Sequence, residues 1–269
     1  MDVDEILRLS AHTFWIPPES EHVQLDGFEM VRYDNGFHYD TGVYAVNSDL
    51  SAPDVIAAAE RQAVEWGRHA LYWNGLTDRT RPADLADLLR DRGGVELERM
   101  AILALDLTVG RPDLDVPAAV TTIVPLDRGT CEDSAAVAAE AFDTPVRPVR
   151  DEDVEGQRHT VDSGSGTSYV AYLDGRPAAT GGVSFPVNGT VAKLWGGSSA
   201  VWARGRGAYR AVLESRLRAA IERGCRVALV SGRLETSAPT LRRAGFRSYG
   251  EEFMLRVPVD SPYGDGMQP

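Results

Sequence analysis

Cysteine is nearly absent from this sequence: only Cys131 and Cys225 occur, far apart and with no histidine at ligand spacing. That excludes a disulfide-rich scaffold and fits reduced thiols in a cytoplasmic protein. No run approaches the ~18 apolar residues that a membrane span needs. The opening Met1-Asp2-Val3-Asp4-Glu5 is acidic and lacks the basic-then-apolar pattern of a secretory signal. Neither a membrane nor a secretory route is therefore expected. Positive charge is also short, with 28 Lys and Arg against 40 Asp and Glu and a formal net charge of −12. Such a chain is a poor general partner for nucleic acid and attracts small cations. There is no paired-carboxylate pattern, no nucleophile–histidine signature and no metal-ligand cluster to build on.

What is present is α/β patterning along 269 residues, a length that allows about two domains. Residues 28–33 and 42–46 read as strands around the turn-like Asp34-Asn35-Gly36. Residues 53–66 read as a helix capped by Ser51, with Val55, Ile56, Ala59, Ala63 and Trp66 on one face. A strand at 69–73, a helix at 82–92 and a strand at 95–107 follow, punctuated by Gly67 and Gly93-Gly94. The Pro-rich, charged stretch 111–117 is the linker candidate. Beyond it come a strand at 120–124, a helix at 131–142 and a loop with a short helix over 143–163. Residues 169–173 and 178–185 form a hairpin about Asp174-Gly175. The order helix, Gly67, strand, helix, Gly94, strand repeats as helix, Gly224, strand, helix, Gly245, strand, which suggests a tandem duplication.

The second copy carries a distinctive joint. Residues 191–202 read as a strand with a bulge at Gly196-Gly197, and a helix with Tyr209, Val212, Leu213, Leu217, Ala220 and Ile221 in phase runs to Gly224. Between them stands Ala203-Arg204-Gly205-Arg206-Gly207-Ala208-Tyr209. Glycines leave room for a ligand at the backbone, a helix N-terminus presents free amides, and arginines add charge, so the joint reads as a phosphate cradle. It fits neither a P-loop, which needs Gly-Lys-Ser/Thr, nor a dinucleotide fingerprint, which needs a third glycine where Arg210 stands. In the first copy the same joint is Asn47-Ser48-Asp49-Leu50-Ser51-Ala52-Pro53, where Asp49 and Asp54 would repel a pyrophosphate.

The joint resembles the acyl-CoA signature of the GNAT superfamily of N-acyltransferases, Gln/Arg-x-x-Gly-x-Gly/Ala, through Arg204 and Gly207. It departs at the last position, where Tyr209 stands. The likeness continues through residues 224–230 as the family's fifth strand and 236–246 as its next helix with a closing Gly-Phe. It implies an α/β (α+β) chain of two tandem GNAT-like domains, each a mostly antiparallel mixed sheet flanked by helices. The expected boundaries are 1–112 for a degenerate first domain, 116–260 for the acyl-CoA domain and 261–269 for a tail.

The resemblance further implies acetyl-CoA as co-substrate, with no metal, and transfer of an acetyl or other short acyl group to a primary amine by direct attack. It assigns cofactor contacts to Ser199, Val201, Arg204, Gly205, Arg206, Gly207, Ala208, Tyr209 and Ser237, and a backbone oxyanion donor to Ala200. Glu235, after the fifth strand, is the candidate base, and a helix-start acid is its bland alternative. Val201 replaces the family's usual proline, Leu241 its frequent tyrosine, and Ser237 is the nearest polar residue to its missing asparagine. Two other readings stay open: an acyl-CoA sensor or scaffold without turnover, and an acyltransferase loaded by a carrier protein. The acidic composition points to a cationic small-molecule acceptor.

Overall fold

The computed structural model describes residues 1–17, 20–34 and 39–259. The elements of the first half are α1 (Val3–Ala11), β1 (Glu21–Leu25), β2 (Phe28–Arg32), β3 (Thr41–Tyr44), α2 (Ala52–Glu65), β4 (Ala70–Leu76), α3 (Leu85–Asp91) and β5 (Val95–Asp106). Then come β6 (Val120–Ile123), α4 (Arg128–Phe142), α5 (Asp151–Asp162), β7 (Gly166–Leu173), β8 (Arg176–Ser184) and β9 (Val191–Ser199). The chain ends with α6 (Ala208–Glu222), β10 (Val227–Arg233), α7 (Ser237–Arg243) and β11 (Arg247–Pro258). Asn35 and Gly36 of the expected turn and the 261–269 tail lie outside the described residues. Among the described residues no helix is long and apolar enough to cross a membrane.

The chain divides into two compact units. The first holds residues 1–102, 232–239 and 248 onward, with strand order β1-β2-β3-β4-β11-β5. Its core packs Val55, Ile56 and Ala59 of α2 on Met30, Val43, Trp73 and Leu255 from four strands. Ser51 caps α2 by accepting the Asp54 amide, and a proline sits in the first turn, where no amide is needed. Strands β3 and β4 run parallel and, among the described residues, pair through Gly42–Tyr72 and Val43–Trp73. The last strand of the chain, β11, pairs antiparallel with β4. A cut between residues 112 and 116 would separate β11 from that partner.

The second unit holds residues 103–231 and 240–247, with strand order β5-β10-β9-β8-β7-β6. The β7–β8 hairpin turns on Asp174 at φ 54° and Gly175 at φ 73°, the pair of left-handed residues that the Asp-Gly signal requires. Residues 151–162, read from sequence within a loop with a short helix, form a 12-residue helix whose Asp153 carboxylate accepts the Arg150 amide. The two faces of β8–β9 are covered by different helices. Thr180 bonds Ser134 of α4 at 2.6 Å, whereas its neighbour Gly181 faces Arg216 of α6. Both cysteines are free thiols.

Candidate active site

The site of the second unit begins where two parallel strands part. β9 and β10 pair through Val191–Val227, Ala192–Ala228 and Lys193–Leu229, after which no pair is formed although both strands continue. Along the freed stretch of β9 the register to β8 shifts between Thr180 and Gly182, with Gly196 at φ 59° supplying the bulge. β9 ends at Ser199, three residues short of the sequence expectation, because 201–203 wind into a 3-10 turn.

That turn aims the chain into α6. Arg206 N–H donates to the Ala203 carbonyl at 3.2 Å, Gly205 sits at φ 75°, and Gly207 caps the helix at φ 89°. Among the described residues no side chain caps the helix. The amides of Ala208, Tyr209 and Arg210 belong to a first turn that has no intrahelical acceptor for them. A Cβ on Gly205 would meet nothing within 4 Å, so this glycine is open. Gly207 is different: a Cβ there would lie 2.5 Å from Pro117. Its missing side chain serves the packing of the 111–117 segment as well as any ligand.

The arginines are not equivalent. Arg206 pairs with Asp174 at 2.9 Å and lies over the Trp202 ring, which Arg176 also covers at 4.2 Å. Arg210 pairs with Asp115 at 3.2 Å. Arg204 is exposed and makes no ion pair among the described residues, which leaves its charge available at the mouth of the cradle.

Two amides assigned from sequence are already engaged. The Ala200 amide, expected to donate to an oxyanion, donates instead to the Ala178 carbonyl at 3.0 Å. The Val201 amide donates to Glu140 Oε1 at 2.8 Å. No sequence signal joins Glu140 to Val201. Ser199, Ala200, Val201 and residues 204–209 form one contiguous group. Glu235 and Ser237 stand outside it, in the 232–239 segment that belongs to the first unit; Glu235 is exposed in the turn before α7, and Ser237 is that helix's first residue. Leu241, where the resemblance expects a tyrosine, is fully buried. His159, in the last turn of α5, is exposed. Across the sheet, the Tyr172 hydroxyl donates to Asp133 at 2.6 Å, and burial and that carboxylate raise its pKa. Among the described residues no group of side chains could hold a metal ion.

Solved structures share this architecture. A GCN5-related N-acetyltransferase from Kribbella flavida aligns over 91% of this chain and 90% of its own, with a TM-score of 0.66 and 18% identity. The chain has the GCN5-related N-acetyltransferase fold. A second such protein, from Sphaerobacter thermophilus, aligns over 87% of this chain and 77% of its own, at TM-score 0.61 and 16% identity. A tandem GNAT protein of the clavulanic acid biosynthesis pathway covers 97% of this chain and 89% of its own, at TM-score 0.57 and 16% identity. The GNAT likeness therefore spans both halves. No family model and no curated protein matches the sequence.

Proposed function

We propose that the protein is an acyl-CoA-dependent N-acyltransferase whose second unit transfers an acetyl or short acyl group to a primary amine of a small molecule. The observation that carries this reading is the parting of β9 and β10 beyond Lys193 and Leu229, directly before a helix N-terminus with open amides, an open Gly205 and a free Arg204. A pyrophosphate fits the first turn of α6, where amide dipoles and Arg204 face it without a side chain at Gly205. The parted edge of β9 offers unpaired backbone to an extended pantetheine. When bound, acetyl-CoA supplies the activated acyl group. The protein's part is to orient amine and carbonyl and to offer a donor where negative charge develops. With the Ala200 and Val201 amides engaged, that donor falls to the β9 amides before Ser199.

The acceptor is a cationic amine drawn by the acidic surface, and it sheds its proton before attack. The proton leaves to bulk water, and Glu235, which belongs to the first unit, is given no part in the step. Leu241 in place of a tyrosine favours a second reading, an acyl-CoA sensor without turnover. A thiol-release assay with acetyl-CoA against an amine library separates the two. Release above the amine-free background supports the enzyme; CoA binding with no release from any amine supports the sensor.

A further inference from the structure

Arg216 lies in the third turn of α6 and is 1% exposed. Its Nε and Nη2 are buried without a hydrogen-bond partner among the described residues. The guanidinium carbon sits 5.6 Å from the centre of the Tyr209 ring, two turns nearer the cradle, because helical side chains lean toward the N-terminus. Two buried guanidinium nitrogens without an acceptor are costly, and the planar fork of donors matches a carboxylate.

Two glycines of the sheet lie against the guanidinium. A Cβ on Gly181 would come within 3.1 Å of the guanidinium, and one on Gly197 within 3.2 Å, so the guanidinium packs directly on the backbone of both strands. Gly197 belongs to the stretch of β9 that has lost its pairing with β10. The guanidinium therefore stands against the freed strand, on the face covered by the helix that also forms the cradle. Packing alone accounts for the two glycines, but not for a guanidinium with two buried nitrogens that meet no acceptor among the described residues.

We propose that Arg216 recognises a carboxylate carried by a substrate of the acyl-transfer site. The proposal rests on the acyl-CoA reading above. The carboxylate can come from the free end of a dicarboxylic acyl thioester, or from an amino-acid acceptor whose amine is the nucleophile. Both keep a net cation or zwitterion compatible with the acidic surface on the acceptor side.

The test uses the full chain and Arg216→Met, with CoA, acetyl-CoA and succinyl-CoA as calorimetric probes. If the thioester carries the group, succinyl-CoA binds at least about tenfold more tightly than acetyl-CoA, and the preference vanishes in Arg216→Met. If the acceptor carries it, the two thioesters bind alike. With acetyl-CoA, the amino acids of a twenty-member panel then exceed their carboxamides in kcat/KM by about tenfold, again only with Arg216 present. No carboxylate preference in either arm, or a preference that survives Arg216→Met, overturns the proposal. CoA carries neither group, so failure of CoA itself to bind sinks the acyl-CoA reading and this one with it. Ligand-free Arg216→Met should have a Tm equal to or above that of the parent, because an apolar chain of similar length replaces an unpaired buried charge. A Tm several degrees lower would assign Arg216 to the core. Arg216→Lys, which keeps the charge but not the fork, should retain only part of the preference and serves if the Met variant does not fold.

Discussion

The carboxylate of Glu140, at the end of α4, accepts the backbone amide hydrogen of Val201 at 2.8 Å. Val201 opens the 3-10 turn that leads into the cradle, at the position where the resemblance read from the sequence expects a proline. A proline has no amide to satisfy; a valine does, and Glu140 meets that need from another element. The preceding Ala200 has φ −53° and ψ 142°, a conformation that tolerates a following proline, and the first residue of a helical turn accepts one.

This gives a double-mutant cycle. Glu140→Ala alone should cost about 0.5–1.5 kcal/mol, the net worth of one hydrogen bond. In a Val201→Pro background the same change should cost almost nothing, since the amide is gone. Urea denaturation of the four proteins measures both numbers. An equal cost in both backgrounds would show that Glu140 stabilises the fold by some other contact.

The cradle glycines should separate by what lies behind them. Gly205→Ala meets only the strain of a left-handed backbone, about 1–2 kcal/mol. Gly207→Ala adds a clash with Pro117 and should cost more. Loss of CoA affinity in a Gly207 variant is therefore not by itself evidence of phosphate contact. Arg204→Glu is the cleaner probe, since the side chain is exposed and unpaired among the described residues. It should weaken CoA by about tenfold or more with Tm unchanged, and the loss should shrink as salt rises. Unaltered binding in that variant would remove Arg204 from the site.

The first unit has its own pH signature. The Tyr44 hydroxyl bonds those of Tyr33 and Tyr39, each at 2.9 Å, and burial raises the pKa of all three. The unfolded chain releases these protons near pH ~10 while the folded chain retains them. Stability is thus fully present below that pH and falls as pH rises through it, by up to about 1.4 kcal/mol per pH unit for each tyrosine. Guanidinium denaturation between pH 8 and 11 should show the decline, and Tyr44→Phe should make it shallower. A flat profile would mean that these hydroxyls ionise alike in both states.

Much of this was legible where local chemistry dictates shape. Asp174-Gly175 demanded a left-handed turn, Ser51 a helix cap, and Arg-Gly-Arg-Gly an open strand–helix joint. The partner of β11 was not legible, because a half-buried antiparallel strand carries the same alternation whichever neighbour it joins. α1 and β1 were missed, their periodicity being short and interrupted by charge. Arg216 left a trace that went unread: Val212 and Ala220, four residues to either side, are both buried, so position 216 faces the core. Glu140 left none, since its contact with Val201 joins residues 61 apart.

The two halves should differ in stoichiometry. In the first unit β3 pairs with β4 through Gly42 and Val43 and ends at Tyr44, one residue later, so it has no freed stretch like that of β9 beyond Lys193. The joint that follows it is closed by its own contacts. Asn47 N–H donates to Gly27 at 2.7 Å, Ser48 N–H to Arg81 at 3.1 Å, and Leu50 N–H to the Ser48 hydroxyl at 3.2 Å. Ser51 then caps α2 and bonds the Asp54 carboxylate, placing a negative group three residues after the cap, the position that Arg210 holds in the second unit. A pyrophosphate there would have to displace a cap worth about 1 kcal/mol and approach a carboxylate. We therefore expect calorimetry to find one CoA per chain, and Arg204→Glu to weaken that single event. A stoichiometry of two, with one event insensitive to Arg204→Glu, would show that the first unit binds CoA through groups other than this joint.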